Sequence, residues 1–203
     1  MIKWIVLSCI IGYLLGSVPF ALVIGKVFFK TDVRLSGSRN LGGSNAGRVL
    51  GARAGLAVMT LDVLKVIAAI GLASLLPADE PAMIASGLCA ALGHCFPLFA
   101  GFKGGKAVAT TYGFYFGMML FGGYSPLLFF LPLITFLVIL YLTKIVALSS
   151  IGSTLAVTLY QWLSTGFSPM IVALLVFDVL IIWRHRANIV RIAKHQENKI
   201  KWM

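Results

Sequence analysis

The chain has 203 residues, 60% of them hydrophobic and 11% charged, with a mean hydropathy of +0.98. Soluble domains carry about 25% charged residues, so a soluble globular protein is excluded and an integral membrane protein is the reading. The net charge of +11 comes from 17 Lys and Arg against 6 Asp and Glu. With no soluble domain to present a basic patch, it excludes nucleic acid as a partner and points to membrane lipids or anionic substrates.

A spanning helix needs about 20 apolar residues, and seven stretches qualify, at roughly 4–25, 54–76, 82–100, 107–124, 126–142, 145–164 and 169–184. The first contains GSVP but no convincing cleavage site, so it reads as a span and not as a removed leader. Cys9, Cys89 and Cys95 fall inside apolar runs with no metal or redox spacing, and read as small core residues.

The connection at 26–53 carries Lys26, Lys30, Arg34, Arg39, Arg48 and Arg53. Within it, SGSRNLGGSNAGR at 36–48 holds four glycines, three serines, two asparagines and two arginines, and no acid. Glycine lets a backbone turn tightly and bring its N–H groups close to a ligand, and successive N–H groups form an anion-binding nest. Ser and Asn add donors, and Arg adds a planar fork suited to phosphate. Ser36, Gly37, Ser38, Asn40, Gly42, Gly43, Ser44, Asn45 and Arg48 are therefore candidate phosphate ligands. The alternative is a flexible, solvated loop whose arginines only set topology.

The 54–76 span carries Asp62 and Lys65, spaced i,i+3 so that they can pair. Intramembrane ionisable residues are functional suspects; a structural ion pair is the other reading. PADEP at 77–81 breaks the chain. His94 lies in an apolar run and reads as a hydrogen-bonded core histidine. FKGGK then sets Lys103 and Lys106 around Gly104 and Gly105, directly before an apolar helix whose N-terminus favours an anion. This is no Walker loop: Gly101 precedes Lys106 by five positions and Ala107 stands where Ser or Thr is needed. GGYSP, Lys144 and STGFSP separate the later spans, the last of which contains Asp178. In the tail WRHRANIVRIAKHQENKI, His185 and Asn188 share a helix face. A snorkelling belt or a lipid-binding basic tail would look the same. Glu197, the one acid of the tail, is expected to pair with a base from another loop.

All the basic residues except Lys3 and Lys65 fall on alternate connections, whereas PADEP, GGYSP and STGFSP carry none. The positive-inside rule makes the basic side cytoplasmic. The expectation is an all-α integral membrane protein, a polytopic bundle of about seven transmembrane helices with the N-terminus outside and the C-terminus cytoplasmic. Nothing in the sequence marks a second domain, so 1–203 reads as one membrane-embedded domain. No metal-ligand cluster appears, no carboxylate pair suggests hydrolysis, and no histidine has an Asp five residues on.

SGSRNLGGSNAGR, LDVLK at 61–65, GHCFPLFAGFKGGKAVAT at 93–110 and RHRAN with Glu197 downstream occur in this order over nearly the whole chain. Together they resemble the bacterial membrane glycerol-3-phosphate acyltransferases that use acyl phosphate as donor, the PlsY family. Arg39 and Ala107 stand where members of that family commonly have glycine. The resemblance implies transfer of a fatty acyl group from acyl phosphate to the 1-hydroxyl of glycerol 3-phosphate, giving lysophosphatidic acid and orthophosphate, the first acylation of phospholipid synthesis. It implies Ser38, Arg48, Lys106, His185 and Asn188 as catalytic residues, with Ser36, Lys103, Gly104 and Gly105 around the substrate and Glu197 in support. It also implies no cofactor, no CoA or acyl-carrier protein, and a bacterial inner-membrane location with the site on the cytoplasmic side. A transporter of organic phosphates or anions is the alternative from another class; it would need ligands near the midplane, reachable from both sides.

Overall fold

The computed structural model describes residues 1–200 and, among them, contains only helices and connecting turns. The chain forms two compact units, Met1–Gly123 and the part from Tyr124 onward.

The first unit holds α1 (Ile2–Gly16), α2 (Phe20–Phe29), α3 (Gly43–Leu50), α4 (Ala52–Ser74), α5 (Asp79–Cys95) and α6 (Val108–Phe121). The first expected span is divided into α1 and α2. Pro19 disfavours helix at Val18 before it and cannot donate an N–H into α1.

Helices in lipid are held by close packing of small residues and not by a hydrophobic driving force. A side chain at Gly12 would strike the Ser86 backbone, and one at Gly16 the Ala90 backbone. The two contacts advance together, so α1 and α5 run parallel. Gly113 packs on Val63 and Val66, and Gly117 on Ile70, so α6 runs parallel to α4. Between α4 and α5 the direction reverses: Ser86 Oγ donates to Ala69 O at 3.0 Å, while His94 lies beside Lys65. The helices thus alternate in direction. The connections after α2 and after α5 emerge at one end, and PADEP at the other.

The second unit holds α7 (Leu127–Thr143), α8 (Val146–Thr165), α9 (Pro169–Arg184) and α10 (Arg186–Ala193). Ser168 caps α9 by accepting from Ile171 N–H, with Pro169 at the first helical position. Asp178 Oδ2 accepts from the Thr158 hydroxyl at 2.7 Å and ties α9 to α8.

All seven expected spans are helical. Ile2–Phe29, Ala52–Ser74, Asp79–Ala100 and Val146–Thr165 have both the length and the apolarity to cross a membrane, whereas Val108–Phe121 and Leu127–Thr143 are apolar but shorter. One exposed face of α1 carries Val6, Ile10 and Leu14, at 52%, 52% and 41% exposure. Such an i,i+4 stripe suits lipid contact and would be a liability in water.

Candidate functional site

The first glycine-rich segment begins at a turn pinned by Asp32. Its carboxylate accepts from Arg34 Nε at 3.0 Å and Nη2 at 2.6 Å, and from the Arg34 backbone N–H at 2.9 Å. Hydrogen bonding from Arg34 holds the Asp32 pKa down at about 2. The chain then reverses through Gly37 at φ +62° and Arg39 at φ +57°. Asn45 braces this reversal from inside. It is 1% exposed; its Oδ1 accepts from Ser38 N–H at 2.7 Å and its Nδ2 donates to Val33 O at 2.9 Å. Ser36, Ser38 and Arg39 are left on the exposed side.

The sequence suggested a flexible loop through residue 48; instead, Gly43 onward is the helix α3. A Cβ at Gly43 would fall on the Met59 side chain, and one at Gly55 would lie 2.6 Å from Gly47 Cα and 2.9 Å from Gly43 O. These glycines serve the near-contact of α3 with α4. Asn45 and Ala46 are buried, while Ser44 and Arg48, spaced i,i+4, occupy the exposed face.

The second segment folds back on the end of α5. A 3-10 turn at Leu98–Ala100 leads into Gly101 at φ +64° and Phe102 at φ +60°. Gly104 N–H donates to Cys95 O at 3.1 Å and Gly105 N–H to His94 O at 2.9 Å. Ser38 N–H and Arg39 N–H are likewise bound within the first turn, to Asn45 and Ser36. The backbone nest expected from the glycines is therefore absent at these four positions, because their N–H groups close the loops. The outward-facing chemistry is carried by side chains. Lys103 is exposed and Lys106 half-buried. Ala107, at φ +62°, caps α6, and its carbonyl accepts from the Thr110 and Thr111 hydroxyls, each at 2.8 Å.

The two segments meet. Val33, Leu41 and Ala46 from the first share one buried apolar cluster with Ala100 from the second and with Ala21, Leu22 and Val58. Above it lies a cleft of about 400 Å³ lined by Asp32, Arg34, Leu35, Arg39 and Lys103. Three cations against one acid make it an anion-attracting surface.

Beneath the second segment lie three ionisable residues. Asp62, Lys65 and His94 are 1%, 5% and 6% exposed. Lys65 Nζ is 2.7 Å from Asp62 Oδ1, donates to Val18 O at 3.0 Å and lies 3.1 Å from His94 Nδ1. Asp62 and Lys65 are thus an ion pair, and the histidine joins it. His94 was legible only as a core histidine, since nothing in the spacing links it to a pair 29 residues earlier. The one available signal was its place within the GHCFPLFAGFKGGKAVAT stretch at 93–110.

In the second unit His185 sits where α9 passes into α10 and is 3% exposed. Its Nδ1 is 2.9 Å from Ile181 O. A carbonyl can only accept, so Nδ1 carries the proton and Nε2 is the basic nitrogen. Asn188 Nδ2 donates to Glu197 Oε1 at 2.8 Å, and Arg191 Nε to Glu197 Oε2 at 2.7 Å. Glu197 was expected to reach a base from another loop. It pairs within its own segment, because the chain turns back at His195, φ +55°, and returns the carboxylate to α10.

Residues 6–195 match the sequence profile of the glycerol-3-phosphate acyltransferase family. A glycerol-3-phosphate acyltransferase of Listeria monocytogenes serovar 1/2a is 44% identical over 205 residues, covering 98% of both chains. The enzyme of that name from Bacillus subtilis strain 168 is 44% identical over 199 residues, covering 98% of this chain and 99% of its own. The fold is similar to the crystal structure of PlsY, an integral membrane glycerol 3-phosphate acyltransferase, in its glycerol 3-phosphate form. The TM-score is 0.88 at 34% identity, over 97% of this chain and 96% of that one. The lysophosphatidic acid form of PlsY matches with a TM-score of 0.85 at 33% identity.

Proposed function

The chain belongs to the glycerol-3-phosphate acyltransferase family, and from that premise we propose that it transfers a fatty acyl group from acyl phosphate to the 1-hydroxyl of sn-glycerol 3-phosphate. The products are lysophosphatidic acid and orthophosphate. The observation that carries this reading is the meeting of two cationic segments at one end of the first unit.

Both substrates are phosphate anions, and acyl phosphate is already activated because phosphate leaves readily. The protein's task is to bring two like charges together and aim a hydroxyl at a carbonyl. Orientation of this kind supplies about 7–11 kcal/mol in well-aligned systems. Arg48 and Ser44 on α3, Ser36 and Ser38 on the turn, and Lys106 ahead of α6 hold phosphate and stabilise charge as it departs. Asn45 contributes by bracing the turn, and Gly37, Asn40, Gly42 and Gly43 by shaping it; Gly104 and Gly105 let the second segment lie against α5. Arg39 and Lys103 widen the positive surface for the second anion. His185 and Asn188 are ligands from the α9–α10 junction, with Glu197 orienting Asn188. The hydroxyl proton passes to a phosphate oxygen of the substrate or to His185 Nε2. The acyl chain remains in the bilayer. The two basic segments lie on the cytoplasmic side of a bacterial inner membrane, and no cofactor, CoA or acyl-carrier protein is required.

The test is the initial rate of purified protein with labelled glycerol 3-phosphate and each of three donors of matched chain length: acyl phosphate, acyl-CoA and acyl-acyl-carrier protein. Acyl phosphate alone gives labelled lysophosphatidic acid. Comparable turnover from acyl-CoA overturns the donor assignment.

A further inference from the structure

We propose that His94 is a positioning residue, whose imidazole, clamped by Lys65 and Asp62, sets the seat of the Gly104–Gly105–Lys106 loop and so the place of the Lys106 ammonium. The proposal rests on the reading that Lys106 holds substrate phosphate.

The Lys65 ammonium has three protons and three acceptors within reach: Asp62 Oδ1 at 2.7 Å, Val18 O at 3.0 Å and His94 Nδ1 at 3.1 Å. A donor cannot face a donor, so Nδ1 accepts and the imidazole proton is on Nε2. Asp62 Oδ1, 3.4 Å from Nδ1, stays bound to the ammonium. The ring is thus held at one edge by α4 and, through Lys65, by the break between α1 and α2.

Its opposite edge meets the loop. A Cβ placed on Gly105 would land on His94 Nε2, Cε1 and Cδ2, and those are its three nearest neighbours. Gly105 does not occupy the left-handed region, so the ring and not the backbone conformation requires glycine here. Gly104 differs, since its Cβ would meet the His94 and Cys95 carbonyls and the Pro97 ring. The loop is held to His94 twice: by its carbonyl, which accepts from Gly105 N–H at 2.9 Å, and by its ring. Lys106 follows at once.

Packing alone does not explain this cluster. Three ionisable groups within an apolar bundle are expensive, and an apolar trio of similar volume would fill the space. What the cluster adds is a fixed ring orientation, because the Lys65 ammonium, itself placed by the Asp62 carboxylate and Val18 O, meets the ring at Nδ1.

The experiment is a size exchange in full-length purified protein. Gly105→Ala puts a methyl where the ring lies and lowers kcat/KM for glycerol 3-phosphate by about a hundredfold. Adding His94→Ala vacates that space, and the double variant recovers at least about tenfold over Gly105→Ala, a coupling expected of contacting residues. In the Gly104→Ala background the same His94→Ala change gives no recovery, because that clash is with backbone. A double variant at or below the product of the two single effects overturns the proposal. Should Gly105→Ala fail to fold, His94→Gln is measured: KM for glycerol 3-phosphate rises more than about fivefold with kcat little changed, and an unchanged KM overturns the proposal. Lys106→Ala tests the parent reading separately: near-normal activity there removes the phosphate role while the size exchange still reports the seat.

Discussion

Arg48 lies on the exposed face of α3, one turn beyond Ser44, with no acid on that helix. A guanidinium so placed offers a planar fork, which an ammonium cannot reproduce. Arg48→Ala should lower kcat/KM by about a hundredfold or more, as expected for loss of a charge-assisted contact worth ~2–3 kcal/mol. Arg48→Lys should lose a large part of that, with circular dichroism unchanged for both. Near-normal turnover in Arg48→Ala would remove it from the site. Ala107 belongs to another class of effect. At φ +62° it holds a conformation that disfavours any Cβ. Ala107→Gly should therefore stabilise the purified protein by about 1 kcal/mol, read as a raised thermal midpoint. A lowered midpoint would show that the buried methyl outweighs the backbone strain.

Among the elements, α3 is the one whose place matters most, because it carries Ser44 and Arg48 and braces the turn through Asn45. It rests on α4 where Gly55 faces Gly47 and Gly43, with less than 3 Å between a Cβ and the facing backbone. Backbone cannot move aside as a flexible side chain can, and overpacking of this kind costs about 1–3 kcal/mol. Gly55→Val should lift α3 from α4 and lower kcat/KM by at least about tenfold, while α4 itself remains helical. Gly71→Val is the matched control, since the nearest atoms to its Cβ would belong to the Phe121 ring, at 3.1 Å, and not to backbone. Equal activity of the two variants would show that α3 does not depend on that contact.

For the whole molecule, the alternation of helix direction in the first unit puts the basic connections after α2 and after α5 at one end and PADEP at the other. That the basic end faces the cytoplasm is a proposal made from charge, because translocation disfavours Lys and Arg near the spans. Asp79→Cys, in a chain whose three native cysteines are replaced by serine or alanine, should react with an impermeant maleimide added outside intact cells. Arg39→Cys should react only after permeabilisation. The opposite pattern would invert the topology.

Residue types alone determined that this is a multi-helix membrane protein, where its apolar helices lie, and which segments hold cationic and hydroxyl side chains. Hydropathy and charge act through local runs, which need no partner to be read. Three things belong to the tertiary structure. Gly43 read as part of a flexible loop but is a point of near contact with α4, because the atoms it avoids come from another helix. Gly104 and Gly105 read as residues around the substrate, but their N–H groups bond to the end of α5, because the chain doubles back through left-handed turns at Gly101 and Phe102. His94 read as a hydrogen-bonded core histidine, and its partners are Asp62 and Lys65, because α4 and α5 run antiparallel and bring residues 29 apart within 3.1 Å. In each case the deciding partner lies on another element, and a one-dimensional pattern carries no record of it.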